Sequence, residues 1–85
     1  MKISFDTNIV VYACNESSPE QPAAREFLGS LALRKDVVVS EFMLVELYLN
    51  LRSARIIRDP MTASQAVEVC QGFRSNANWE LVNEG

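Results

Sequence analysis

Two acidic side chains stand where a buried apolar environment is written around them. Asp6 follows the apolar run Ile3-Ser4-Phe5, and Glu46 lies within Met43-Leu44-Val45-Glu46-Leu47-Tyr48. An ionised carboxylate taken out of water without a partner is costly, so each of these needs one. Three kinds of partner would serve. One is a structural ion pair with an arginine. Another is helix capping, which suits Asp6 but not Glu46. The third is a shared divalent cation, bound by oxygen ligands that the fold brings together. Thr7 and Asn8 add oxygen-bearing groups beside Asp6, and both are also ordinary cap residues. Arg52, Arg55 and Arg58 offer positive charge for RNA phosphates, or form a solvated face.

Other chemistries are excluded more firmly. The chain has no histidine and two cysteines, Cys14 and Cys70, with no CxxC pair. A zinc centre wants four sulfur or nitrogen ligands and has no basis here. Two free thiols of a reducing cytosol are the expectation. The net charge is -3, so the chain as a whole is not a basic nucleic-acid binder. If it meets RNA, local arginines or bound cations must offset the acid. No apolar run approaches the ~20 residues of a membrane span. The start is interrupted by Asp6 too early for a signal peptide. A cytoplasmic location is expected.

The elements that must position these residues can be read in order. Its 85 residues allow one small domain, and 48% hydrophobic content makes it a folded one. Ile3–Phe5 reads as a short strand ending in the turn chemistry of Asp6-Thr7-Asn8. The next residues, Ile9–Cys14, are rich in β-branched side chains, but a capping Asp or Thr before them favours a short buried helix. Ser18-Pro19-Glu20-Gln21 has capping-box spacing and opens a helix to about Leu33, with Ala24, Phe27, Leu28 and Leu31 as its inner stripe.

Val37–Val39 has the continuous apolar character of a buried parallel strand. Ser40 then caps a helix over Glu41–Arg55 that is apolar on nearly every side, which predicts burial all round. Thr62-Ala63-Ser64-Gln65 is a second capping box, before a helix with Ala66, Val69, Cys70 and Phe73 on its inner face. Trp79–Val82 reads as a third short strand. Such alternation predicts a parallel α/β sheet whose site lies beyond the C-terminal strand ends.

The combination is more specific than its parts. Ile3-Ser4-Phe5-Asp6-Thr7-Asn8-Ile9-Val10-Val11-Tyr12-Ala13 resembles the opening of PIN domains, where the first strand ends in an Asp-Thr/Ser-Asn turn. The segment from Val38 to Tyr48 is similar to the family's second strand and acidic helix, and Trp79–Val82 to its next strand. The resemblance covers essentially the whole chain and is nearest to bacterial toxins of the VapC type. It implies a three-layer fold, with a short parallel sheet flanked by helices. It further implies an endoribonuclease that uses Mg2+ or Mn2+ to cleave single-stranded RNA. By resemblance Asp6 and Glu46 are metal ligands, and Thr7 is a catalytic hydroxyl near the metal or its water. Asn8 holds the turn.

PIN domains draw further acids from segments after the third strand. Residues 1–85 are therefore expected to form a single incomplete PIN-like domain, truncated at its C-terminus, holding metal weakly and catalytically incomplete alone. Glu84 is not expected to replace the missing acids. Complete members imply an antitoxin protein as partner. A homo-oligomer, most simply a dimer, is expected to cover apolar helix surface, with Phe27, Leu31, Tyr48 and Phe73 as interface candidates. The competing function is a non-catalytic module for protein binding or oligomerisation.

Overall fold

The computed structural model describes residues 2–82, so Met1 and residues 83–85, with Glu84 among them, lie outside the described residues. In chain order it contains α1 (Thr7–Cys14), α2 (Gln21–Leu31), β1 (Val38–Ser40), α3 (Glu41–Leu51), α4 (Ala63–Arg74) and β2 (Glu80–Val82). The expected α/β arrangement is present, as four helices around a short parallel sheet. β1 pairs in parallel with β2, in the register Val38–Glu80, Val39–Leu81 and Ser40–Val82.

The first expected strand is reduced. Ile3 forms an isolated parallel bridge with Val37, through Ile3 N–H to the Asp36 carbonyl (2.6 Å) and Val38 N–H to the Ile3 carbonyl (2.8 Å). Phe5 leaves this edge for the core. There its ring meets Phe73 and Trp79 at centroid distances of 6.0 and 5.6 Å. The backbone order across the sheet is thus the Ile3 segment, then β1, then β2.

Burial follows from the apolar runs. Val37 and Val39, Val10, and the Leu44, Leu47 and Leu51 row of α3 are almost fully enclosed. They form one cluster with Phe5, Val11, Leu31, Ile57, Ala66 and Cys70. The leucines recur every three to four residues, the period of one helix face. That periodicity also explains a correction. α3 is not buried all round: Phe42, Val45 and Leu49 are 63%, 58% and 62% exposed. Apolar residues on every side of α3 exceed what its neighbours α1, α4 and β1 can cover.

Several helix boundaries also depart from expectation. α3 ends at Leu51 instead of Arg55, because Ser53 takes over the local hydrogen bonding. The Ser53 carbonyl receives the Ile56 and Ile57 amides, and its Oγ accepts the Arg55 N–H at 3.3 Å. Serine competing with the helix ladder in this way is a common terminator. The Ser18 capping box does not form. Ser18 Oγ accepts the Glu20 amide instead, within a turn, and α2 starts at Gln21 with Pro22 in its first turn. The Thr62 capping box does form, with Thr62 and Gln65 each bonding the other's amide.

On α2, Ala24 and Leu31 face inward as expected, but Phe27 is exposed at the helix surface. Leu31 is enclosed within the chain's own core, and so is not available to an interface.

Candidate functional site

α1 and α3 both begin where the chain leaves the sheet. Asp6 caps α1 from an extended backbone, its Oδ1 accepting the Asn8 N–H at 2.9 Å. Ser40, the last residue of β1, caps α3 by accepting the Met43 N–H at 3.0 Å. Each cap satisfies amides that the first helical turn leaves unpaired. The two helices pack on one another, and this brings Thr7 and Glu46 together.

Thr7, the first residue of α1, is the one buried polar side chain among the described residues, at 4% exposure. Its Oγ1 donates to Glu46 Oε1 at 2.9 Å, across 39 positions of sequence. Asp6 immediately precedes Thr7, and its carboxylate is exposed at the mouth of the same helix. Glu46 is exposed as well. Neither acid is sealed in the apolar interior that its sequence neighbours suggest. The alternation of inward and outward side chains around α3 carries Glu46 away from Leu44 and Leu47.

Among the described residues, Asp6 Oδ2 and Glu46 Oε2 have no hydrogen-bond partner within the protein, and neither acid pairs with an arginine. The structural ion pair is therefore not formed. Capping accounts for one oxygen of Asp6, and the Thr7 hydroxyl accounts for one of Glu46. Two carboxylates remain with one free oxygen each, which is hard-donor chemistry suited to magnesium or manganese rather than zinc. No cluster of three or more His, Cys, Asp or Glu side chains able to hold a metal occurs among the described residues.

The other singled-out residues fall elsewhere. The Arg52 guanidinium lies 5.8 Å from the Tyr48 ring centroid and donates to its hydroxyl at 3.3 Å, so it is occupied along its own helix. Arg55 and Arg58 are exposed. Both cysteines are free. Burial raises each thiol's pKa, more than Arg25 beside Cys14 and Arg74 near Cys70 lower it. A cleft of about 400 Å³ between the end of α1 and the start of α4 is lined by Cys14, Ile57, Asp59 and Met61, with neither Asp6 nor Glu46 in its wall. The acids of this cleft are Glu16, Asp59 and Glu68, a set separate from Asp6 and Glu46.

Sequence reasoning named Asp6, Thr7 and Glu46 separately but missed the contact between Thr7 and Glu46. The available signal was the small β-branched hydroxyl among apolar neighbours, a residue type that needs a partner once buried.

No protein-family model matches the chain. Among curated proteins, ribonuclease VapC24 of Mycobacterium tuberculosis (strain CDC 1551 / Oshkosh) is 46% identical over 80 residues, which is 94% of this chain and 55% of that protein. Ribonuclease VapC24 of strain ATCC 25618 / H37Rv matches with the same identity and coverage. Over nearly its whole length the chain is thus similar to part of proteins named as VapC ribonucleases. It spans about half the length of the VapC24 proteins that it matches. No helix among the described residues is long and apolar enough to cross a membrane.

Proposed function

We propose that Asp6 and Glu46 are cation-binding carboxylates of a metal-dependent endoribonuclease of the VapC toxin type, acting on single-stranded RNA. The observation that carries this reading is the Thr7–Glu46 hydrogen bond, which joins the acidic helix α3 to the Asp-Thr-Asn turn at the start of α1. The similarity to ribonuclease VapC24 supports the reaction class.

Asp6 and Glu46 would hold Mg2+ or Mn2+ through their free oxygens. Such an ion supplies charge neutralisation at the phosphate and a more acidic bound water. Asn8 keeps the turn through its amide on Asp6, so that the Asp6 carboxylate faces outward from a fixed backbone. Glu46 is held through Oε1 by the Thr7 hydroxyl, its second oxygen having no partner within the protein among the described residues. With two carboxylates contributed by the described residues, most of the cation's shell is water and binding is weak.

The partners on this reading are single-stranded RNA, an antitoxin protein and a second copy of the chain in a cytoplasmic setting. The second copy is supported by the exposed Phe42, Val45 and Leu49 face of α3. The reaction is tested by incubating the chain with a labelled single-stranded RNA in millimolar Mn2+, with and without a chelator. Slow scission that stops on chelation and in Asp6→Asn supports the reading. Scission that is indifferent to both contradicts it. Intact RNA is the outcome expected of a site incomplete on its own. Only intact RNA together with no Mn2+ binding at Asp6 and Glu46 favours the alternative, a non-catalytic module for protein binding or oligomerisation.

A further inference from the structure

We propose that Thr7 is a positioning residue. Its hydroxyl locks the Glu46 carboxylate in one orientation and thereby sets the acidic pair, instead of contacting a cation or its water. The proposal deepens the cation-site reading above and rests on it for its functional meaning, but its geometric content stands on its own.

A threonine hydroxyl has one proton to donate. That of Thr7 is directed at Glu46 Oε1, at 2.9 Å. Thr7 is also 4% exposed, whereas Asp6 and Glu46 are both exposed. A group so enclosed reaches solvent poorly, while its acceptor Glu46 is open to it. No buried side-chain nitrogen or oxygen among the described residues lacks a hydrogen-bond partner, so burial of the Thr7 hydroxyl depends on Glu46 and no second acceptor is needed to explain it.

The bond spans two elements that begin at separate points of the sheet. Thr7 is the first residue of α1, and Glu46 lies in the middle of α3. Glutamate has several rotatable bonds and, when exposed, samples many rotamers. A charge-assisted hydrogen bond from a rigid, buried, β-branched donor removes much of that freedom. The oxygen left over, Oε2, then has a defined direction relative to the Asp6 carboxylate one residue away from the donor. Ligand groups fixed in advance by surrounding hydrogen bonds bind metal more tightly than floppy ones.

The test compares the wild-type chain with Thr7→Val, which keeps shape and removes the donor, and Thr7→Ser, which keeps the donor. Two readouts are needed. The Glu46 side-chain coupling constants, measured by NMR without metal, report whether one rotamer dominates. Mn2+ affinity, measured by electron paramagnetic resonance, reports on the site. The expected result is one dominant Glu46 rotamer in wild type and Thr7→Ser, with averaging in Thr7→Val. Mn2+ affinity should fall about tenfold in Thr7→Val, equivalent to the ~1.4 kcal/mol that a hydrogen bond to a charged group supplies. It should change little in Thr7→Ser, and Thr7→Val should cost nothing further in a Glu46→Gln background.

Rotamer averaging already present in wild type overturns the proposal, as does Mn2+ affinity equal in wild type and Thr7→Val. A locked rotamer lost in Thr7→Val, in a wild type that binds no Mn2+, sustains the positioning and overturns the cation reading instead. Thermal melts of each variant identify any that fails to fold. If Thr7→Val does not fold, Thr7→Ala provides the donor-free comparison.

Discussion

The Trp79 indole donates its Nε1–H to the Leu31 carbonyl at 2.9 Å. Leu31 is the last residue of α2, and its carbonyl also accepts the Arg34 N–H at 3.1 Å. Asn76 Nδ2 donates to the neighbouring Ala32 carbonyl at 3.1 Å. The segment before β2 is thereby fastened to the end of α2, while the Trp79 ring stacks on Phe73 with centroids 5.6 Å apart. Trp79→Phe keeps most of the ring packing and loses the donor. It should cost ~1 kcal/mol, the usual net value of one hydrogen bond, with no orphaned carbonyl because the Arg34 N–H stays on it. Urea denaturation followed by circular dichroism checks this, and an unchanged midpoint would contradict it.

The two serine- and threonine-led caps should behave differently. Thr62→Ala removes a formed capping box and should destabilise the chain by ~1 kcal/mol. Ser18→Ala touches a turn that does not cap α2, and should cost only a few tenths of that. Equal effects in thermal melts would show that the Ser18 box forms in solution.

This difference shows what the sequence made legible. Thr62 and Gln65 sit directly before an uninterrupted amphipathic run, so local chemistry and tertiary packing agree. Ser18 and Gln21 have the same spacing, but Pro22 lies too close behind them, and the helix begins later. Ile3–Phe5 looked like a strand from its composition. Its pairing is limited to one bridge because Phe5 turns inward to the Phe73 and Trp79 rings, a long-range contact that periodicity does not encode. At the site, Asp6 and Glu46 stood out as acids among apolar residues. Their exposure and the Thr7 link depend on how α1 leans on α3, which no local pattern reveals.

The proposed dimer rests on the exposed face of α3. Phe42, Val45 and Leu49 recur at helical spacing and lie open, whereas Leu31 is enclosed and cannot serve. Light scattering over a wide dilution range should show a dimer that dissociates on dilution, with a melting point that falls in parallel. Val45→Glu should shift the population to monomer at all concentrations without lowering the monomer's own stability by more than ~0.5 kcal/mol, as expected for a surface site. A wild type that is monomeric throughout, with a constant melting point, would remove the dimer.

Alkaline pH should weaken the fold. Burial holds the Cys14 and Cys70 thiols above their ordinary pKa of 9.0. The folded state therefore keeps protons that the unfolded state has already released. Stability from these thiols is fully present below the unfolded value and is lost as pH rises from about 9.0 through the raised folded values. Melting points measured from neutral pH upward should decline over this range, and Cys70→Ala should flatten the decline. A decline identical in Cys14→Ala, Cys70→Ala and wild type would assign it to other groups. By the same reasoning both thiols should react slowly with iodoacetamide near neutral pH.

The cation site is tested most directly by calorimetric titration of Mn2+ into the wild-type chain, Asp6→Asn and Glu46→Gln, with circular dichroism confirming that all three are folded. Wild type should bind one Mn2+ weakly, and each substitution should remove most of the measurable heat. Mn2+ bound equally by all three proteins, or tight stoichiometric binding that survives both substitutions, would contradict the assignment of Asp6 and Glu46 as its ligands.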